Sequence, residues 1–237
     1  MILFFGVIVY YRHQIINKSE IKGCEHLLGL PDRRVLFVSN HQTYFSDVAM
    51  FFLVFAAVKN GYINNIKYPW YLLNPRLKIF FVAAVETMKA GFLPKVFTYA
   101  GSISIKRTWR EAGKEVNRQV DLKDISKIGH ALDDGWVITF PQGTTTPFKA
   151  GRKGTGHIIK KFEPIVVPIV IDGFRRAFDK KGLRLKKRGV TLKVRFKEPM
   201  HLDYSQPAEK IIEHVMEAIE QTPDHSYFPI DDSPQQS

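Results

Sequence analysis

Val35-Leu36-Phe37-Val38-Ser39-Asn40-His41-Gln42-Thr43-Tyr44-Phe45-Ser46-Asp47 is the stretch on which the reading of this chain turns. Its four leading apolar residues predict a buried strand. The apolar run behind it, residues 48–58, predicts a helix with no polar face, buried or in contact with lipid. The turn between them sets His41 at a strand end, with Asp47 six positions later. That pairing is what activation of a hydroxyl requires. The imidazole takes the proton, while the carboxylate fixes its tautomer and stabilises the cation that forms. The plainer reading of the same residues is a histidine that only satisfies backbone groups at a strand end.

Moving outward, strands alternate with helices. Residues 103–105 read as a short strand ending in Lys106-Arg107, and residues 121–134 as a helix capped by Asp121 or Asp124, with Ile125, Ile128 and Leu132 on one face. Trp136-Val137-Ile138-Thr139-Phe140 reads as a buried strand running into Pro141-Gln142-Gly143-Thr144, followed by a helix over 154–162. Residues 165–171 form another strand, which Pro168 assigns to a sheet edge or a strand start. A strand over 190–196 and an amphipathic helix over 208–220 complete the pattern. Residues 17–34 read as polar and turn-rich, and the tail from Gln221 as polar and loose.

The alternation predicts an α/β fold: a mixed, largely parallel sheet flanked by helices, with chemistry at the carboxyl ends of the strands. His41, Arg107 and Gln142 each follow a strand, so all three are placed to meet on one rim. Three regions result: a membrane-associating segment over 1–34, an α/β domain over 35–220 and a flexible tail over 221–237.

The net charge of +12 calls for a partner with a negative surface, whether nucleic acid, anionic lipid or a phosphorylated substrate. Eleven basic residues fall between positions 174 and 197. They read as a solvated face or, beside the aromatic and basic segment 59–95, as an attraction to anionic lipid. Nucleic-acid binding is the main rival, but no RNA-recognition signature, zinc pattern or helix-turn-helix is present. Cys24 is the single cysteine, which excludes an internal disulfide or cysteine-based metal site and fits a reducing compartment.

The chain opens Met1-Ile2-Leu3-Phe4-Phe5-Gly6-Val7-Ile8-Val9-Tyr10-Tyr11-Arg12. As a helix these apolar residues rise only ~15 Å, against a hydrocarbon core of ~30 Å. The run has no basic region before it and no small-residue cleavage site after it, so it does not read as a signal peptide. It suits either the bilayer interface or the protein's own core.

Four segments, in order, resemble the glycerolipid acyltransferases of the lysophosphatidic acid acyltransferase family. Asn40-His41 with Asp47 resembles the motif that pairs a catalytic histidine and aspartate. Gly101-Ser102-Ile103-Ser104-Ile105-Lys106-Arg107 resembles the second, whose terminal arginine helps hold the acceptor's phosphate. Phe140-Pro141-Gln142-Gly143-Thr144 resembles the third, which lines the acceptor pocket, and Ile165-Val166-Val167-Pro168-Ile169 the fourth, near the acyl chain. The resemblance implies transfer of a fatty acyl group from acyl-CoA or acyl-carrier protein to a lysophospholipid hydroxyl, with 1-acyl-glycerol-3-phosphate the leading acceptor. His41 and Asp47 would be catalytic, and Lys106, Arg107, Gln142, Gly143 and Thr144 would bind substrate. Neither metal nor bound cofactor would be needed. The partners would be membrane lipid and the acyl carrier, not nucleic acid, at the cytoplasmic face of an inner membrane. The sequence carries no signature of an oligomeric state.

The departures are as informative. The family places four residues between histidine and aspartate, whereas five separate His41 from Asp47, and Ser46 stands at the family's spacing. A bulge would keep Asp47 in reach; otherwise the carboxylate serves only to cap the helix. Gln142 stands for a glutamate, and Thr145 for an arginine whose planar guanidinium suits bidentate phosphate binding. Lys106, Arg107, Lys149 or Arg152 would then have to neutralise a phosphate. The alternatives are an acceptor without phosphate, such as an amino-acid-headed lysolipid, or an inactive lipid-binding relative. His157 reads as a second base or as an ordinary satisfied histidine.

Overall fold

The two faces of one strand organise the molecule. In the computed structural model, which describes residues 2–74, 78–84, 102–105, 110–111, 114–115 and 122–227, every residue of β2 (Val35–Ser39) is buried. Val35 and Phe37 join one apolar cluster, Leu36 and Val38 another. A strand buried on both faces needs a covering layer on each side, which is the condition under which parallel sheets form.

The remaining strands are β1 (Lys18–Lys22), β3 (Ile79–Ala84), β4 (Ser102–Ile105), β5 (Arg110–Glu111), β6 (Lys114–Glu115), β7 (Trp136–Thr139), β8 (Ile165–Asp172) and β9 (Thr191–Phe196). Seven of them build one sheet in the order β1-β9-β8-β2-β7-β3-β4, while β5 and β6 pair separately. All pairings in the large sheet are parallel except β8 with β9. The mixed, largely parallel sheet of the sequence reading is therefore present.

On one face lies α2 (Ser46–Lys59), buried almost all round. Its outer side is covered by α1 (Ile2–Tyr10) and a 3-10 turn, Pro69–Leu73; the Cβ of a residue at Gly6 would come within 2.9 Å of Leu72. On the other face lie α3 (Leu122–Asp134), α4 (Lys153–Phe162) and α6 (Ala208–Ala218), which contribute Ile128, Ile159 and Ile211 to the second cluster. A short α5 (Phe174–Ala177) follows β8. Cys24 is fully buried near the sheet edge, and burial pushes its thiol up to about 11.

The structure departs from the sequence reading in several places. Residues 17–34, read as turn-rich, supply the edge strand β1, whose single buried position, Ile21, is too little apolar signal to predict a strand. Pro168 sits in an interior strand, not at an edge. Its carbonyl accepts from the Lys197 N–H at 2.9 Å, so its nitrogen also faces β9, where the ladder in register begins only at Ile169 opposite Phe196. The missing donor falls where that ladder ends, and pairing with Val38 of β2 continues. Of the aromatic segment, Tyr71 and Phe81 are core, whereas Tyr68 and Trp70 are exposed. Gln221, read as the start of a loose tail, is buried. Among the described residues no helix is long and apolar enough to cross a membrane. Lys106, Arg107 and Asp121 lie outside the described residues.

Candidate active site

β8, β2 and β7 are neighbours and run the same way, so the loops at their carboxyl ends converge. The β2 loop is aimed first by Asn40. Its side-chain amide donates to the carbonyl of Ile171 at 2.9 Å, and its side-chain oxygen accepts from the N–H of Ile171 at 2.8 Å. This reciprocal pair stitches the end of β2 to β8 and leaves His41 as the next residue.

His41 Nδ1 lies 2.9 Å from Asp47 Oδ2. The five intervening residues form a turn that folds around the carboxylate. Gln42 N donates to Oδ2 at 2.6 Å, Thr43 N to both oxygens at 3.0 and 3.1 Å, and the Thr43 hydroxyl to Oδ1 at 2.6 Å. Asp47 is fully buried, which would be costly for an unpaired carboxylate, and every one of these donors offsets that cost. The acid therefore bonds backward to its own turn and does not cap the helix that follows. Because an ionised carboxylate only accepts, Nδ1 must carry the imidazole proton and Nε2 the lone pair. Among the described residues no hydrogen bond engages Nε2. The His41 side chain is 12% exposed, whereas that of Asp47 is wholly buried.

Two further elements brace this turn. Tyr44 N and Phe45 N donate to the carbonyls of Lys180 and Lys181, both at 3.0 Å. Gly182, at φ +78, passes so close that a Cβ there would meet Ser46 N at 2.6 Å; only glycine fits both the space and the left-handed backbone. Beneath, Ser46 hydrogen-bonds His13 Nε2 at 2.8 Å, and His13 Nδ1 donates to the Val9 carbonyl at 2.7 Å. Burial pushes the His13 imidazole down to about 4, so it stays neutral and accepts from the serine.

The β7 loop supplies Phe140, whose ring stacks on His41 with centroids 3.8 Å apart and planes 22° apart. Gln142 is buried within its loop: its amide donates to Lys149 O at 3.0 Å and Gln221 Oε1 at 3.2 Å. Gln221 Oε1 also accepts from Phe148 N at 3.1 Å. Gly143 turns at φ +62, and Gly143 and Thr144 are half-buried. Thr145 is buried, and its carbonyl accepts from the guanidinium of Arg175, beyond the end of β8. His157 lies on α4, exposed, and shares no described contact with His41.

The structure thus brings His41, Asp47 and the 141–145 loop together. Sequence reasoning missed His13, Gln221 and Arg175. The only signal for Arg175 was its membership of a basic run, and no local pattern marked the other two. Among the described residues no group of three or more His, Cys, Asp or Glu could hold a metal ion.

A family model described as Acyltransferase matches residues 16–172. No curated protein matches the chain. Among solved structures, the 1-acyl-sn-glycerophosphate (LPA) acyltransferase PlsC from Thermotoga maritima resembles it with a TM-score of 0.53 at 20% identity, over 90% of this chain and 74% of that one. At this identity the likeness concerns the fold.

Proposed function

The chain belongs to the Acyltransferase family, and on that premise we propose that it transfers a fatty acyl group from acyl-CoA or acyl-carrier protein to the hydroxyl of a lysophospholipid, with 1-acyl-glycerol-3-phosphate as the leading acceptor. The observation that carries this reading is the 2.9 Å contact between His41 Nδ1 and Asp47 Oδ2, which engages one ring nitrogen and leaves Nε2 to act as the base.

In this mechanism Nε2 of His41 removes the acceptor's hydroxyl proton as the oxygen attacks the thioester carbonyl carbon. Asp47 stabilises the imidazolium. The tetrahedral intermediate collapses with cleavage of the C–S bond, and the leaving thiolate takes the proton back from His41. Phe140 holds the ring plane by stacking. In this reading Gly143 and Thr144, half-buried in the loop that follows Phe140, meet the acceptor.

The same proposal places the enzyme on a membrane surface, at the cytoplasmic face. On α1, Leu3, Phe4, Val7 and Ile8 are exposed, and the adjoining turn exposes Trp70 (68%) and Leu73 (66%) beside Tyr68. An apolar helix of this length with aromatic neighbours suits burial at the headgroup boundary.

The test is acyl transfer by purified protein, wild type beside His41→Ala, with labelled acyl-CoA and acyl-carrier protein offered to a panel of lysolipids in vesicles. Turnover on lysophosphatidic acid that falls by about a thousandfold in the variant is the expected result. Near-normal turnover by His41→Ala would sink the mechanism. Turnover confined to phosphate-free acceptors would replace the proposed acceptor, and none on any acceptor would mark a lipid-binding relative.

A further inference from the structure

Arg175 ties together the two loops that meet at His41. Its backbone N–H donates to Gln42 Oε1 at 3.2 Å, immediately beside His41, and its guanidinium donates to the Thr145 carbonyl in the loop after β7. Gln42 is itself held in place, donating to Ile171 O at 3.3 Å and Asp172 Oδ1 at 3.4 Å. The guanidinium is therefore fixed at one N–H by a main-chain acceptor, and among the described residues it has no carboxylate partner. The nearby acids are otherwise engaged: Asp172 pairs with Arg176 at 2.9 Å, and Asp179 Oδ1 accepts from Leu183 N and Arg184 N at 2.8 and 2.9 Å. Lys186 adds to the local positive charge, with its Nζ on the carbonyl of Arg175 at 3.1 Å.

A guanidinium oriented through one donor still offers the rest of its fork, which matches the oxygens of a phosphate monoester. In a lysophosphatidic acid only the short glycerol arm separates the reacting hydroxyl from the phosphate. In acyl-CoA the whole pantetheine arm separates the thioester from the nearest phosphate. A cation whose own backbone N–H is anchored to the residue next to His41, and whose guanidinium is held by the loop that carries Phe140, therefore matches the acceptor and not the donor. Resting on the acyl-transfer reading, we propose that Arg175 binds the headgroup phosphate of the acceptor and thereby selects phosphate monoester lysolipids.

The test uses Arg175→Gln, which keeps a donor for Thr145 without the charge, and Arg175→Lys, which keeps a charge. Kinetics on lysophosphatidic acid and on monoacylglycerol, with one acyl donor, give the first readout. Arg175→Gln should raise the KM for lysophosphatidic acid by about tenfold or more, leave kcat and the monoacylglycerol reaction within about twofold, and be partly rescued by lysine. Equal losses on both acceptors would make Arg175 a loop brace only, and a rise confined to the KM of the acyl donor would move the phosphate to the carrier; either overturns the proposal. The second readout is calorimetric binding of lysophosphatidic acid in a His41→Ala background, which needs no turnover. Weaker binding on adding Arg175→Gln supports the proposal even if the transfer reaction fails. Unchanged binding overturns it.

Discussion

The loop after β2 and the loop after β7 meet at one imidazole, yet they are held in opposite ways. The first closes on itself. A single buried carboxylate, Asp47, gathers the backbone of residues 42 and 43 and the ring of His41, all within seven consecutive positions. The second is clasped from a distance: Gln142 is met by Gln221, 79 residues later, and Thr145 by Arg175, 30 residues later. A loop that closes on itself tolerates a change in length, because its own backbone can move around the carboxylate. A loop clasped from outside tolerates a change in its own side chains, because the clasp supplies what they lack.

The largest expected effect breaks the first loop. Asp47→Asn should lower kcat by roughly 10²–10⁴-fold, since the amide can present a donor where the turn requires only acceptors and the tautomer of His41 is no longer set. Moving the acid one position back, as Ser46→Asp with Asp47→Ser, should fail to restore activity. The side chain at 46 faces His13, not His41. Recovered turnover in that double variant would show that the loop is not closed by geometry at all.

A smaller effect sharpens where the self-contained loop ends. His13 is buried and neutral under Ser46, with its pKa near 4 against the ordinary 6.5. The unfolded chain binds the proton first as pH falls. This residue's contribution to stability is therefore complete above about pH 6.5 and is lost progressively down to pH 4. The full loss corresponds to about 3 kcal/mol. Urea unfolding between pH 7 and pH 4.5 should show a steeper acid loss in wild type than in His13→Gln. Parallel curves would mean that the contact contributes no proton linkage.

The smallest effect loosens the second loop. Gln221→Ala leaves the Phe148 N–H and one Gln142 contact without their acceptor, which should cost about 1–2 kcal/mol in thermal unfolding. The acceptor KM should rise a few-fold and kcat should hold. If kcat fell as far as in the Asp47 variants, the two loops would not differ in the way described.

The same contrast explains what could be read from the sequence. β2, α2 and the His41–Asp47 approach were legible because their determinants are local: an apolar run, a short turn and an acid within one loop's reach. Even there, the five-residue interval left two roles open for Asp47, and only the turn's donors separate them. The His13–Ser46 contact spans 33 positions and the Asn40–Ile171 pair 131, and no periodicity announces partners at such distances. Pro168 misled because its side of the strand, which decides whether a missing donor matters, depends on where β9 stops.

Cys24 carries a last consequence. It is the only thiol in the chain, it is sealed in the core, and burial holds it protonated at neutral pH. A thiolate-seeking reagent can reach it only when this corner of the sheet opens. The protein therefore contains its own clock: the rate at which that sulfur is labelled under native conditions counts the openings of the edge where β9 meets the chain's first strand.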